Sequence, residues 1–151
     1  MIGAIIVTHA SVGKELIAAA EYLVGKIGGI EAVSIDNPPN AFETRKAIIR
    51  AIEKVDQGEG LLLLTDLSEG SMANIALSFL IQEKVEVITG VNLPMVLTFW
   101  NKREGHTLRE VVKAVQLSGM RSINRAKALM EIRNHGGRVT AKEGKLSSQR
   151  Q

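Results

Sequence analysis

Apolar and polar positions divide the chain into blocks that switch between two periods. Ile2–Thr8 is almost continuously apolar and rich in β-branched residues. That is the pattern of a strand covered on both faces in a parallel sheet. From Ser11 the period becomes helical. Leu16, Ile17, Ala20, Leu23, Val24 and Ile27 recur on one face, and Gly28–Gly29 is expected to end the run. Ala32–Ile35 reads as a short second strand, and Asp36–Asn40, with its two prolines, as a loop. Asn40 and Glu43 resemble a capping box opening a helix whose inner face is Ile48, Ile49, Ile52 and Val55.

The alternation then repeats. Gly58–Gly60 is a break, Leu61–Thr65 a buried-strand run, Asp66–Gly70 a polar turn, and about Ser71–Lys84 a helix. Val85–Val91 reads as a fourth strand, and Asn92-Leu93-Pro94-Met95 starts a short helix with Pro94 in its first turn. Thr107-Leu108-Arg109-Glu110 is a capping box for a last long helix. Strands and helices alternating at this spacing predict an α/β domain with an open, mainly parallel sheet and helices on both faces. Ligands of such sheets bind beyond the carboxyl ends of the strands, at a switch in strand order. If the order is 2-1-3-4, the loops after strands one and three face each other there.

Length and composition narrow this picture. A chain of 151 residues fits one domain with a real core. It has no cysteine, which excludes a disulfide framework and thiol catalysis. No apolar run approaches the length of a membrane span, so a cytoplasmic protein is expected. Residues 133–151 carry a charge of +4 out of the overall +3, leaving the first 132 residues at −1. The chain therefore reads as a domain over 1–132 and a basic, flexible tail over 133–151. With one Trp, one Tyr and three Phe, it also lacks the aromatic interleaving that stacks bases, and no nucleic-acid partner is expected.

Two candidate chemistries compete in Ile5–Leu16. Gly13–Lys14 invites a phosphate-loop reading, but that motif needs a glycine five positions earlier and a Ser or Thr after the lysine. Thr8 and Glu15 stand there instead. His9, at the predicted strand end and just ahead of a helix N-terminus, is a candidate nucleophile for a phosphoryl group. Such a histidine needs an orienting partner on its other nitrogen, and Asp66 leaves the neighbouring strand where it can serve. Ser71, opening the next helix, can offer its hydroxyl and amide to phosphoryl oxygens. Each residue also has a plainer reading: a structural histidine, a turn aspartate and an N-cap serine. The three scattered histidines, without cysteine, leave the usual metal spacings empty, and neither a metal nor a cofactor is expected. Ser68 and Ser71 lack the GxSxG elbow of a hydrolase.

Three stretches carry a resemblance: "IIVTHA", "LLLLTDLSEGSMAN" and "VITGVNLPM". Over about residues 1–130 they resemble, in order and spacing, the EIIA domain of the mannose-type (mannose/fructose/sorbose) sugar phosphotransferase system. The resemblance implies a parallel 2-1-3-4 sheet and a homodimer formed by exchange of a C-terminal antiparallel strand. That strand would fall near Ser122–Leu129, where the spacing predicts helix. It also implies that His9 accepts a phosphoryl group from the phosphocarrier protein HPr and passes it to an EIIB partner. Asp66 would hydrogen-bond the histidine, Ser71 would lie near the phosphoryl group, and contact with the membrane would be indirect, through the transport complex. The chain departs from the family pattern at Glu69 (for glycine), Ser68 (for an aromatic), Met72 (for proline) and Ala10 (for a common glycine). The departures within Ser68–Met72, with the basic tail, motivate an alternative: a regulatory phosphoacceptor or protein-interaction module on the same fold, not coupled to sugar uptake.

Overall fold

The computed structural model describes residues 1–136. Its elements follow the predicted alternation: β1 Gly3–His9, α1 Val12–Val24, β2 Ile30–Ile35, α2 Ala41–Val55, β3 Leu61–Thr65, α3 Ser71–Ser78, β4 Val85–Thr89, α4 Leu93–Lys102 and α5 Leu108–Arg121. A sixth helix, α6, spans residues 126–136. The four strands form an open sheet in the order β2-β1-β3-β4, with every pairing parallel.

Strand periodicity explains why helices cover both faces. In β1, Ala4 and Ile6 point to one face and Ile5 and Val7 to the other. In β3, Leu62 and Leu64 oppose Leu61 and Leu63. The first face packs on Ala20 of α1, Met95, Val96 and Phe99 of α4, and Val111 and Val115 of α5. The second packs on Ile48, Ala51 and Val55 of α2 and on Met72 and Ala76 of α3. Each fully buried aliphatic side chain here contributes roughly 1.5–3 kcal/mol relative to exposure. At Gly3 a Cβ would lie 2.6 Å from the Val55 carbonyl oxygen, so glycine lets β1 and the end of α2 approach closely.

Several boundaries differ from expectation. Helix α1 stops at Gly25, whose φ of +83° suits glycine, rather than at Gly28–Gly29. Ile27 is buried in the following connection, so its helical spacing was coincidental. Helix α3 gives way after Ser78 to a 3₁₀ turn, Phe79–Ile81. The Ser78 hydroxyl donates to the Ile75 carbonyl at 2.6 Å, a local bond that competes with helix continuation. β4 ends at Thr89, two residues early, and the Val91 amide donates to the Thr65 carbonyl instead of extending the strand.

Residues 1–120 form one compact unit, and the described residues from Arg121 onward belong to a second, whose described element is α6. Among the described residues the sheet contains no antiparallel strand, and 126–136 are helical, as the spacing rather than the resemblance predicts. Of the expected basic tail, 133–136 belong to that helix, and the rest lies outside the described residues.

Candidate functional site

Parallel register sets the site. Val7 of β1 pairs with Thr65 at the end of β3, while β1 runs on to His9, which pairs with Ile35 of β2. His9 therefore overhangs the carboxyl end of its neighbour, where Asp66 leaves β3. The backbone turns sharply after His9, with Ala10 at φ +48°, and α1 begins at Val12. Buried Thr8 fixes that start: its Oγ1 accepts the Gly13 amide at 2.7 Å. A Cβ on Gly13 would sit 3.1 Å from both Thr8 Oγ1 and Ile6 Cγ2, so any side chain there would make its neighbours give by a few tenths of an ångström. Gly13–Lys14 thus belongs to a packing contact, with Lys14 exposed beside the groove along β2.

Asp66 holds His9 in two ways. Its Oδ2 accepts the His9 backbone amide at 2.9 Å and lies 2.9 Å from His9 Nδ1. Its Oδ1 accepts the Leu67 amide at 2.9 Å. Partial burial pushes the Asp66 carboxyl up, but the His9 amide, the His9 ring with its charge, and the Leu67 amide outweigh it. The carboxyl is held below the usual aspartate value. An ionised carboxylate only accepts hydrogen bonds, so Nδ1 carries the proton, and in a neutral ring Nε2 keeps the lone pair. The ring is 51% exposed and Asp66 21%, leaving the far side of the imidazole accessible.

A small cleft of about 10 Å³, room for roughly one water molecule, opens beside this pair, walled by His9, Asp66, Leu67, Glu69 and Met72 among others. Ser71 opens α3 as expected, but it is not the N-cap of its plainer reading. Gly70, at φ +97°, occupies the N-cap of α3, and Ser71 is the first helical residue, exposed and outside the cleft wall. Among the described residues its hydroxyl makes no hydrogen bond, so the structure joins His9 to Asp66 but not to Ser71. Leu67 and Glu69 of the cleft wall lie in the turn after β3 that the sequence places at the ligand-binding edge, whereas the part played by Met72 of α3 was not expected.

The remaining polar candidates have structural partners. His106 Nδ1 donates to the Glu104 carbonyl at 2.9 Å, and His135 Nδ1 to the Glu131 carbonyl at 3.0 Å. Asn92 caps α4 by accepting the Met95 amide and also donates to the Gly119 carbonyl. Among the described residues no group of three or more His, Cys, Asp or Glu is placed to hold a metal ion. Nor is any of their helices long and apolar enough to cross a membrane.

Fold and site together define an open, parallel α/β protein with a carboxylate-held histidine at its strand ends. The family described as the EIIA-man, or PTS system fructose IIA component, matches residues 3–116, and the chain belongs to this mannose/fructose family of phosphotransferase-system IIA components. It is 30% identical over 132 residues to the PTS system mannose-specific EIIAB component of Escherichia coli (strain K12). The match covers 84% of the chain and only 40% of that relative, so the chain spans about two fifths of the relative's length. Among solved structures, the phosphotransferase system component EIIA from Streptococcus agalactiae superposes with a TM-score of 0.77 at 22% identity, covering 85% of this chain and 99% of that one. The PTS IIA protein associated with the fucose utilization operon of Streptococcus pneumoniae gives 0.73 at 24% identity, covering 85% and 96%. These two likenesses concern the fold.

Proposed function

We propose that the chain is a phosphohistidine carrier, with His9 Nε2 as the phosphoryl acceptor. The observation that carries this reading is the Asp66 Oδ2 contact with His9 Nδ1 at 2.9 Å, which leaves Nε2 as the free nucleophile. The donor is an HPr-like phosphocarrier bearing its phosphoryl group on nitrogen. The donor P–N bond breaks, a new bond forms between phosphorus and His9 Nε2, and the donor imidazole leaves with the electron pair. Asp66 stabilises the positive ring of the product. A second transfer of the same kind hands the group to an EIIB partner. The exposed Ser71 hydroxyl and the amides at the starts of α1 and α3 are the donors available to phosphoryl oxygens.

In this reading residues 1–132 act as the carrier domain of a cytoplasmic homodimer that meets the membrane only through its transport complex, and 133–151 form a basic tail. A relay driven by phosphoenolpyruvate tests it. Label should appear on the wild type, be acid-labile, and be lost in His9→Ala; equal labelling of His9→Ala would end the proposal. A second reading, a regulatory phosphoacceptor, is favoured by Glu69 on the cleft wall beside exposed Leu67. Rapid onward transfer to an EIIB protein would exclude it.

A further inference from the structure

We infer that Glu69 sets the phosphoryl-transfer potential of His9, making the phosphorylated state less stable than the histidine–aspartate pair alone would. This rests on the acceptor role proposed above. Glu69 shares the cleft wall with His9 and Asp66, so a second acidic residue borders the cleft beside the accepting ring. Among the described residues no lysine or arginine lines that cleft. Lys14, close in sequence, borders the separate groove beside β2. Among the described residues Glu69 also makes no ion pair or hydrogen bond that would neutralise or divert it. Asp66 differs, because its oxygens are engaged by the His9 ring and two amides.

A phosphoryl group on Nε2 adds close to two negative charges at this spot. Asp66 remains compensated by the ring it orients, whereas Glu69 meets the new charge with no counterion of its own. Between two exposed residues, such repulsion is worth about a threefold to tenfold change in an equilibrium constant, and salt screens it. A carrier loaded against this repulsion passes its group on more readily. A partner presenting a cation to Glu69 relieves the repulsion while docked.

N-phosphoimidazole separates this effect from protein docking. In the exchange, the P–N bond of phosphoimidazole breaks, a P–Nε2 bond forms on His9, and free imidazole departs with the electron pair. Phosphorus NMR reads the equilibrium constant in defined phosphoimidazole/imidazole mixtures. Glu69→Gln should raise it about threefold to tenfold at low ionic strength, Glu69→Asp should stay near wild type, and the gap should shrink in about 0.5 M KCl. Equal constants for wild type and Glu69→Gln, or a gap that salt leaves unchanged, would overturn the inference while leaving His9 as acceptor. No signal above the His9→Ala background in any variant would overturn both. Circular dichroism on each variant checks that the exposed loop substitution leaves the fold intact.

Discussion

At the exit of β3, Asp66 Oδ2 serves the His9 amide and the His9 ring together, so one substitution addresses both fold and chemistry. Asp66→Asn must turn its NH₂ either on the two His9 donors or on the Leu67 amide. It should slow phosphoryl acceptance about a hundredfold or more, because the ring loses its fixed tautomer. It should also lower stability at neutral pH by about 1–3 kcal/mol. The Asp66 carboxyl is held below its ordinary value in the fold, so its contribution is present above the unfolded value of about 3.9. That contribution disappears as pH falls through the folded value. Urea titrations of wild type and Asp66→Asn should therefore differ at pH 7 and converge in acid; an undiminished gap at low pH would contradict the assignment. Ala10, at φ +48°, gives a second test: Ala10→Gly should raise stability by about 0.5–1 kcal/mol, read from the denaturation midpoint. His9 and Asp66 were legible as a pair because both end buried-strand runs. The N-cap was not, since Gly70 and Ser71 both suit the start of a helix and only backbone angles separate them.

Among the elements, β3 was readable from end to end. Its run Leu61–Thr65 is buried throughout and bounded by polar turns, which leaves little freedom for its limits. Helix ends were less legible, because several glycines in one stretch can each stop a helix and local side-chain bonds can stop one without glycine. Gly25 and Ser78 are those two cases. The start of α1 matters most for the site, and it hangs on Thr8. Thr8→Val keeps the shape of the side chain but removes the acceptor of the Gly13 amide, leaving a buried donor without its partner. The expected cost is about 1–3 kcal/mol. Hydrogen exchange should accelerate at the first turn of α1 ahead of the rest of the helix. Uniform exchange across α1 would show that the turn does not depend on this bond.

Across the whole molecule, the two ends of the sheet carry different burdens. The carboxyl end exposes a polar pair in a small cleft. The opposite end is closed by Arg103, which is 4% exposed, donates from Nη1 to the Gly28 carbonyl, and lies 5.3 Å from the centre of the Trp100 ring. Its Nη2 reaches Met1 Sδ at 3.4 Å, and its carbonyl accepts the Ile2 amide at 3.3 Å. One side chain thus ties the chain start, the α1–β2 connection and the end of α4 around the first residues of β1. No pattern in the sequence marked it, because a lone arginine after a helix reads as solvated and only long-range packing buries it. Its role is in the fold, several strand residues away from His9. Arg103→Ala should destabilise by about 2–4 kcal/mol, through lost packing around a buried side chain and loss of its bond to the Gly28 carbonyl. At a temperature where the variant remains folded, labelling of His9 should match wild type. Loss of labelling in fully folded Arg103→Ala would mean that the two ends of the sheet are coupled, and that the site depends on more than the strand register that positions it.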